Sequence, residues 1–172
     1  MNTMDNVGAL LNHFPQSVAK ELSDAPSKFW RSAQELRFRR GHPALMVASE
    51  GEYAFCGQTL RHIENNTLNN IINKFLNYSD YAYPQEMSSG YVAIPGGHRA
   101  GFCGQAVLEA GKLHSVRDIS SVNVRIAREL PQAAERIWPQ LLDREGKFGH
   151  TLIASPPGCG KTTLLRSLVR KL

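Results

Sequence analysis

HTLIASPPGCGKTTLLRSLVRKL, residues 150–172, is the stretch whose reading decides this chain. Residues 151–154 are a short apolar run, 155–160 hold two prolines and two glycines, and 161–172 bring apolar residues at helical spacing. That order predicts strand, loop and helix. Ser155-Pro156-Pro157-Gly158-Cys159-Gly160-Lys161-Thr162 fits the phosphate-loop pattern G-x-x-x-x-G-K-[ST] at every defined position but the first, where serine replaces glycine.

The pattern has a physical basis. Gly158 and Gly160 allow the backbone to turn its N–H groups inward around an anion, and the opening turn of the helix adds its positive dipole end. Cys159, Gly160 and Thr163 add further loop N–H groups. Lys161 reaches the β- and γ-phosphates, and the Thr162 hydroxyl takes a place on Mg²⁺, so the expected ligands are ATP and Mg²⁺. Pro156 and Pro157 lack N–H donors and belong in the early half of the loop, where no phosphate is contacted. Ser155 suits the first position only with a negative φ. The helix is expected to bury a stripe of Leu164, Leu165, Leu168, Val169 and Leu172.

Working back from this stretch, residues 143–149 are polar and glycine-bearing and read as a linker. Residues 1–142 then form an N-terminal domain, and 150–172 a separate phosphate-loop unit. Pro131 is expected to open a helix running to about residue 142, with Ala134, Ile137, Trp138 and Leu141 inward. Residues 90–127 hold six glycines between Gly90 and Gly111 and read as strands separated by tight turns. Residues 113–119 form one of these strands, and Val122, Val124 and Ile126 mark the last. Leu68, Ile71, Ile72, Phe75 and Leu76 line one face of a helix beginning near Thr67. Tyr78, Tyr81 and Tyr83 follow it and read as a lid on the core. Glu35-Leu36-Arg37-Phe38-Arg39 alternates as a half-buried strand does, and residues 44–48 and 53–56 supply two more strands. Residues 7–13 and 16–22 read as short helices, broken at Pro15, that cap the domain. The fold expected for 1–142 is α+β, with a mixed or antiparallel sheet and packed helices.

Composition bounds the rest. Hydrophobic residues are 42% and charged ones 20% of 172, enough for a packed core. The net charge of +5 admits an anionic partner without requiring one. Arg37, Arg39 and Arg40, with His98, Arg99, Arg117, Arg125 and Arg128, are candidates for a basic face. Nucleic acid is therefore an open but less favoured partner, and a structural ring-forming adaptor is a further alternative. No secretory leader and no stretch of about 20 apolar residues is present, which leads to the expectation of a cytoplasmic protein. Cys56, Cys103 and Cys159 are expected as free thiols. The six histidines show no metal-ligand spacing, and no catalytic triad is apparent.

Several stretches together resemble the stage III sporulation protein AA family of spore-forming bacteria. They are Glu35-Leu36-Arg37-Phe38-Arg39, Gly90-Tyr91-Val92-Ala93-Ile94-Pro95-Gly96-Gly97-His98-Arg99-Ala100-Gly101, Arg117 to Glu129 with its N-x-R-I-A-R-E segment, and Ser155 to Thr163. The serine at the head of the loop is also similar to that family. The resemblance implies an N-terminal α+β domain joined to a RecA-like α/β phosphate-loop ATPase similar to the motors of type II and type IV secretion systems. It also implies a homo-oligomeric ring in the cytoplasm, peripheral at the inner face of a membrane, against a membrane-embedded stage III sporulation complex. A RecA-like core needs further parallel strands and an acidic residue for Mg²⁺ and water, and nine residues follow Thr163. The chain as given is therefore expected to hold the N-terminal domain and the first strand-loop-helix of the motor, with weak or no ATP binding and no turnover.

Overall fold

The computed structural model describes residues 3–76, 90–127, 131–156 and 159–171. Its contacts divide it into two compact units, Met1–Ala127 and Arg128–Leu172. The division falls at Ala127, so residues 131–142 group with the second unit rather than with the sheet.

The first unit is built on a six-stranded antiparallel sheet. Its strands are β1 (Ala33–Arg39), β2 (Leu45–Ala48), β3 (Gly51–Ala54), β4 (Tyr91–Ile94), β5 (His98–Glu109) and β6 (Lys112–Arg125). The spatial order is β3-β2-β1-β6-β5-β4. Two three-stranded halves therefore meet at one seam, where Leu36 faces Val124 and Phe38 faces Val122. Strict alternation sends Leu36, Phe38, Val92, Ala100, Phe102 and Val124 to a single face, all at most 6% exposed.

That face is covered by helices α1 (Thr3–Leu11), α2 (Gln16–Ser23), α3 (Ser27–Ser32) and α4 (Asn65–Leu76). In α4, Leu68, Ile71, Ile72, Phe75 and Leu76 are all buried, the stripe its spacing predicts. The helix begins two residues before Thr67. The N-terminal helices are not mere caps. Leu10, Phe14, Val18 and Leu22 are 0–3% exposed, and the Phe14 ring lies 5.6 Å from Phe38 and 5.1 Å from Phe75. Each such burial contributes about 1.5–3 kcal/mol, so few apolar residues suffice when all of them are inward. α3 has no counterpart in the sequence reading; it is brief, follows Pro26, and anchors Trp30, whose Nε1–H donates to the Leu22 carbonyl at 3.1 Å.

A second correction concerns β6, one continuous strand where two were expected. The expected break after Ile119 is instead a bulge within one strand: Asp118 takes φ 45°, and the pairing shifts register between Cys103 and Gln105. Gly104 belongs to the same device. A Cβ there would collide with the Arg117 carbonyl.

In the second unit, residues 131–142 form two 3₁₀ turns, Pro131–Ala134 and Trp138–Leu141, instead of one helix. Pro139 inside the second turn cannot donate the bond a continuous helix needs. Residues 151–154 pair with no strand among the described residues, and Leu152 is 91% exposed. An isolated strand leaves its N–H and C=O groups without ladder partners, so the apolar run alone does not make one. The last helix, α5 (Lys161–Val169), forms as predicted. Its expected stripe does not: Leu168 is buried, but Leu165 and Val169 are 52% and 61% exposed. The buried side also includes Ser167, whose hydroxyl accepts the Ala134 N–H at 3.0 Å.

Candidate functional site

The loop between residues 154 and 161 ends at Gly160, which takes φ 79° and ψ 16° as the N-cap of α5. Such a left-handed residue costs glycine little and other residues more, which explains the glycine there. The first hydrogen bond of the helix runs from the Leu164 N–H to the Gly160 carbonyl at 2.9 Å. The N–H groups of Lys161, Thr162 and Thr163 lie before that bond, in the turn whose donors an α-helix leaves for an outside acceptor.

Lys161 folds back over the loop. Its ammonium donates to the Ser155 carbonyl at 2.7 Å and the Pro156 carbonyl at 2.8 Å, with the Ser155 hydroxyl at 3.4 Å. Lysine and the head of the loop thus meet across the turn. Ser155 is absent from the residues with positive φ, which answers the demand its side chain makes at that position. Cys159, Gly160 and Thr162 are exposed, while Lys161 and Thr163 are half-buried. Gly158 and Pro157 lie outside the described residues, as do Leu172, Arg128 and the three tyrosines Tyr78, Tyr81 and Tyr83.

The donor set suits a phosphate group: a lysine ammonium, a helix start and a left-handed glycine converge on one loop. For a divalent cation the loop offers the hydroxyls of Ser155, Thr162 and Thr163, and no group of three His, Cys, Asp or Glu occurs among the described residues. Mg²⁺ held here would draw most of its oxygen ligands from phosphates and water.

The basic residues divide between surfaces. Arg37, Arg39, Arg99 and Arg125 lie on the sheet face away from the helices, whereas His98 points into the core at 2% exposure. The His98 Nδ1 accepts the Ala127 N–H at 3.0 Å. Burial, and secondarily the nearby His13, push its pKa below the ordinary value. Arg40 and Arg117 flank a groove beside α4 instead. The sequence signal for His98 was its place between β-strand residues of alternating burial; counting it among the basic residues obscured that.

Comparison with known proteins gives three findings. A family model described as sporulation stage III, protein AA, matches residues 5–172. Stage III sporulation protein AA of Bacillus subtilis (strain 168) is 37% identical over 156 residues, a match covering 91% of this chain and 49% of that protein. The chain thus spans about half the length of the curated relative it matches. The X-ray structure of the Legionella pneumophila ATPase DotB aligns with a TM-score of 0.45 and 21% identity, covering 92% of this chain and 42% of that one.

Proposed function

The chain belongs to the sporulation stage III protein AA family, and from that premise we propose that residues 155–163 are the phosphate-holding loop of an ATP-dependent motor. The observation that carries this reading is the meeting of Lys161 with the head of its own loop, at the start of a helix whose N-cap has no side-chain hydrogen bond. Lys161 would exchange its carbonyl partners for phosphate oxygens, Gly158, Cys159 and Gly160 would supply loop donors, and Thr163 a further N–H. Thr162 would hold Mg²⁺ brought in with the nucleotide.

The motor would extend beyond this chain. Exposed Leu152, Leu165 and Val169 support that, because they offer apolar surface against which further strands and helices would pack. Residues 151–154 would become a strand once a parallel neighbour completes the ladder. The remaining parts of the reading are a ring of identical subunits, peripheral at the inner face of a membrane, working on a membrane-embedded sporulation complex. The first unit would serve that ring as an adaptor.

Titration of the full-length protein with MgATP, with and without Lys161→Ala, tests the proposal. The substitution is expected to weaken binding about tenfold or more, as loss of a charged hydrogen-bond donor does. Hydrolysis that survives Lys161→Ala unchanged would sink it.

A further inference from the structure

In the first unit, Arg99 of β5 and Arg125 of β6 are direct cross-strand partners, and both are exposed on the sheet face turned away from the helices. Like charges placed opposite one another in an antiparallel pair are destabilising. Among the described residues, neither guanidinium has a carboxylate within ion-pair distance. Glu35, the other cross-strand neighbour of Arg125, pairs with Arg37 at 3.2 Å, and Glu52 joins the same arginine at 3.1 Å. Arg99 rests over the Tyr91 ring, 5.2 Å from its centroid.

A depression of about 350 Å³ lies over this pair, lined by Tyr91, Gly101 and Asn123 beside the two arginines, with Glu35, turned toward Arg37, at its β1 side. Gly101 has no side chain to fill it. A neighbouring depression of about 510 Å³ contains Arg37, Arg39 and His42 and shares Asn123, so one shallow trough crosses β1, β6 and β5.

From this juxtaposition we propose that the open sheet face is a docking surface for an acidic segment of a partner polypeptide, with a carboxylate seated between Arg99 and Arg125. The inference is independent of the phosphate-loop reading. Among the described residues, the Lys and Arg side chains lining these depressions, Arg37, Arg39, Arg99 and Arg125, are all arginine, the side chain whose planar fork matches a carboxylate with two parallel bonds. Glu35 and Glu52 stand among them, and a continuous phosphate backbone or a lipid surface would meet both with repulsion. A polypeptide can place one or two carboxylates in the trough and neutral residues over the glutamates. Among the described residues, the one aromatic ring in the depression already lies under Arg99, which leaves none of them as a platform for stacked bases.

The test is fluorescence anisotropy of the full chain with labelled hexaglutamate at low salt. Arg99→Gln with Arg125→Gln is expected to weaken binding about tenfold or more, and Arg117→Gln, beside α4, to leave it unchanged. Arg99→Lys with Arg125→Lys should fall between the two, since charge is kept and the fork lost. The double glutamine variant should melt within about 4 °C of the parent, because the repulsion it removes offsets the lost contact of Arg99 with Tyr91; a larger fall assigns the pair to stability and overturns the proposal. Hexaglutamate binding indifferent to the pair overturns it too. So does tighter binding, through the same arginines, of a single-stranded oligonucleotide or of phosphatidylserine vesicles.

Discussion

The Glu21 carboxylate accepts the Leu60 N–H at 2.8 Å and, with its other oxygen, the Thr59 N–H at 2.7 Å, tying α2 to the loop before α4. Burial alone would raise its pKa, but the two backbone bonds and the Thr59 side chain together bring it below the ordinary value of 4.5. A depressed carboxylate stabilises the fold above its unfolded pKa, and that stability drains away as pH falls through the folded one. Stability should thus decline below about pH 4.5. Glu21→Gln should cost about 1–3 kcal/mol at neutral pH and flatten this acid limb, as read from denaturant melts across pH. Gly57→Ala should mimic it, because a Cβ at Gly57 would collide with the same carboxylate.

His98 sets a second acid limb at higher pH. Its Nδ1 accepts a backbone N–H, so the neutral ring carries its proton on Nε2, and protonating Nδ1 would break the bond to Ala127. With the folded pKa below the ordinary 6.5, the unfolded chain binds the proton first, and stability falls as pH drops from 6.5 through the folded value. The slope this adds is at most about 1.4 kcal/mol per pH unit. His98→Asn, which keeps an acceptor near Nδ1, should remove that slope while the Glu21 limb stays.

The structure explains which parts of the fold were legible in sequence. Leu36 and Phe38 alternate with charged residues, and α4 repeats its apolar residues over three turns, so periodicity alone places both. Trp30 sits in six residues of helix, too few for a period to emerge. Ser120-Ser121 read as a gap between two strands because a bulge and a turn draw on the same polar residues. At 151–154 the apolar run reads as a strand, but a strand is a property of two segments, and no partner for it is found among the described residues. The start of α5 was legible because its signals are local, a glycine followed by apolar residues at helical spacing, and the helix does begin at Lys161 after a left-handed Gly160.

Gly104 is expected to tolerate no side chain. The atom a Cβ would strike is the Arg117 carbonyl oxygen, part of a paired backbone that cannot step aside. Gly104→Ala should cost about 1–3 kcal/mol by overpacking, and hydrogen exchange should quicken at residues 105–117 before it does at the β1–β6 seam.

Gly160→Ala should weaken nucleotide binding through the backbone. With φ at 79°, an L-residue costs about 1–2 kcal/mol more than glycine, and the start of α5 would shift to relieve it. Gly160→Asn, better suited to left-handed φ, should lose less in the same MgATP titration.

The seam between β1 and β6 governs how the sheet is born. Strands β1–β3 and β4–β6 each zip through short local hairpins, but Glu35 must find Arg125, and Arg39 must find Ser121, across most of the first unit. Until that encounter each half shows a bare edge, and a chain emerging from the ribosome waits for β6 before the first three strands have their partner. Assembly of the first unit is in this sense expected to be a late marriage of two early hairpin sheets, with the slow step at the pairing of residues 35–39 with 121–125.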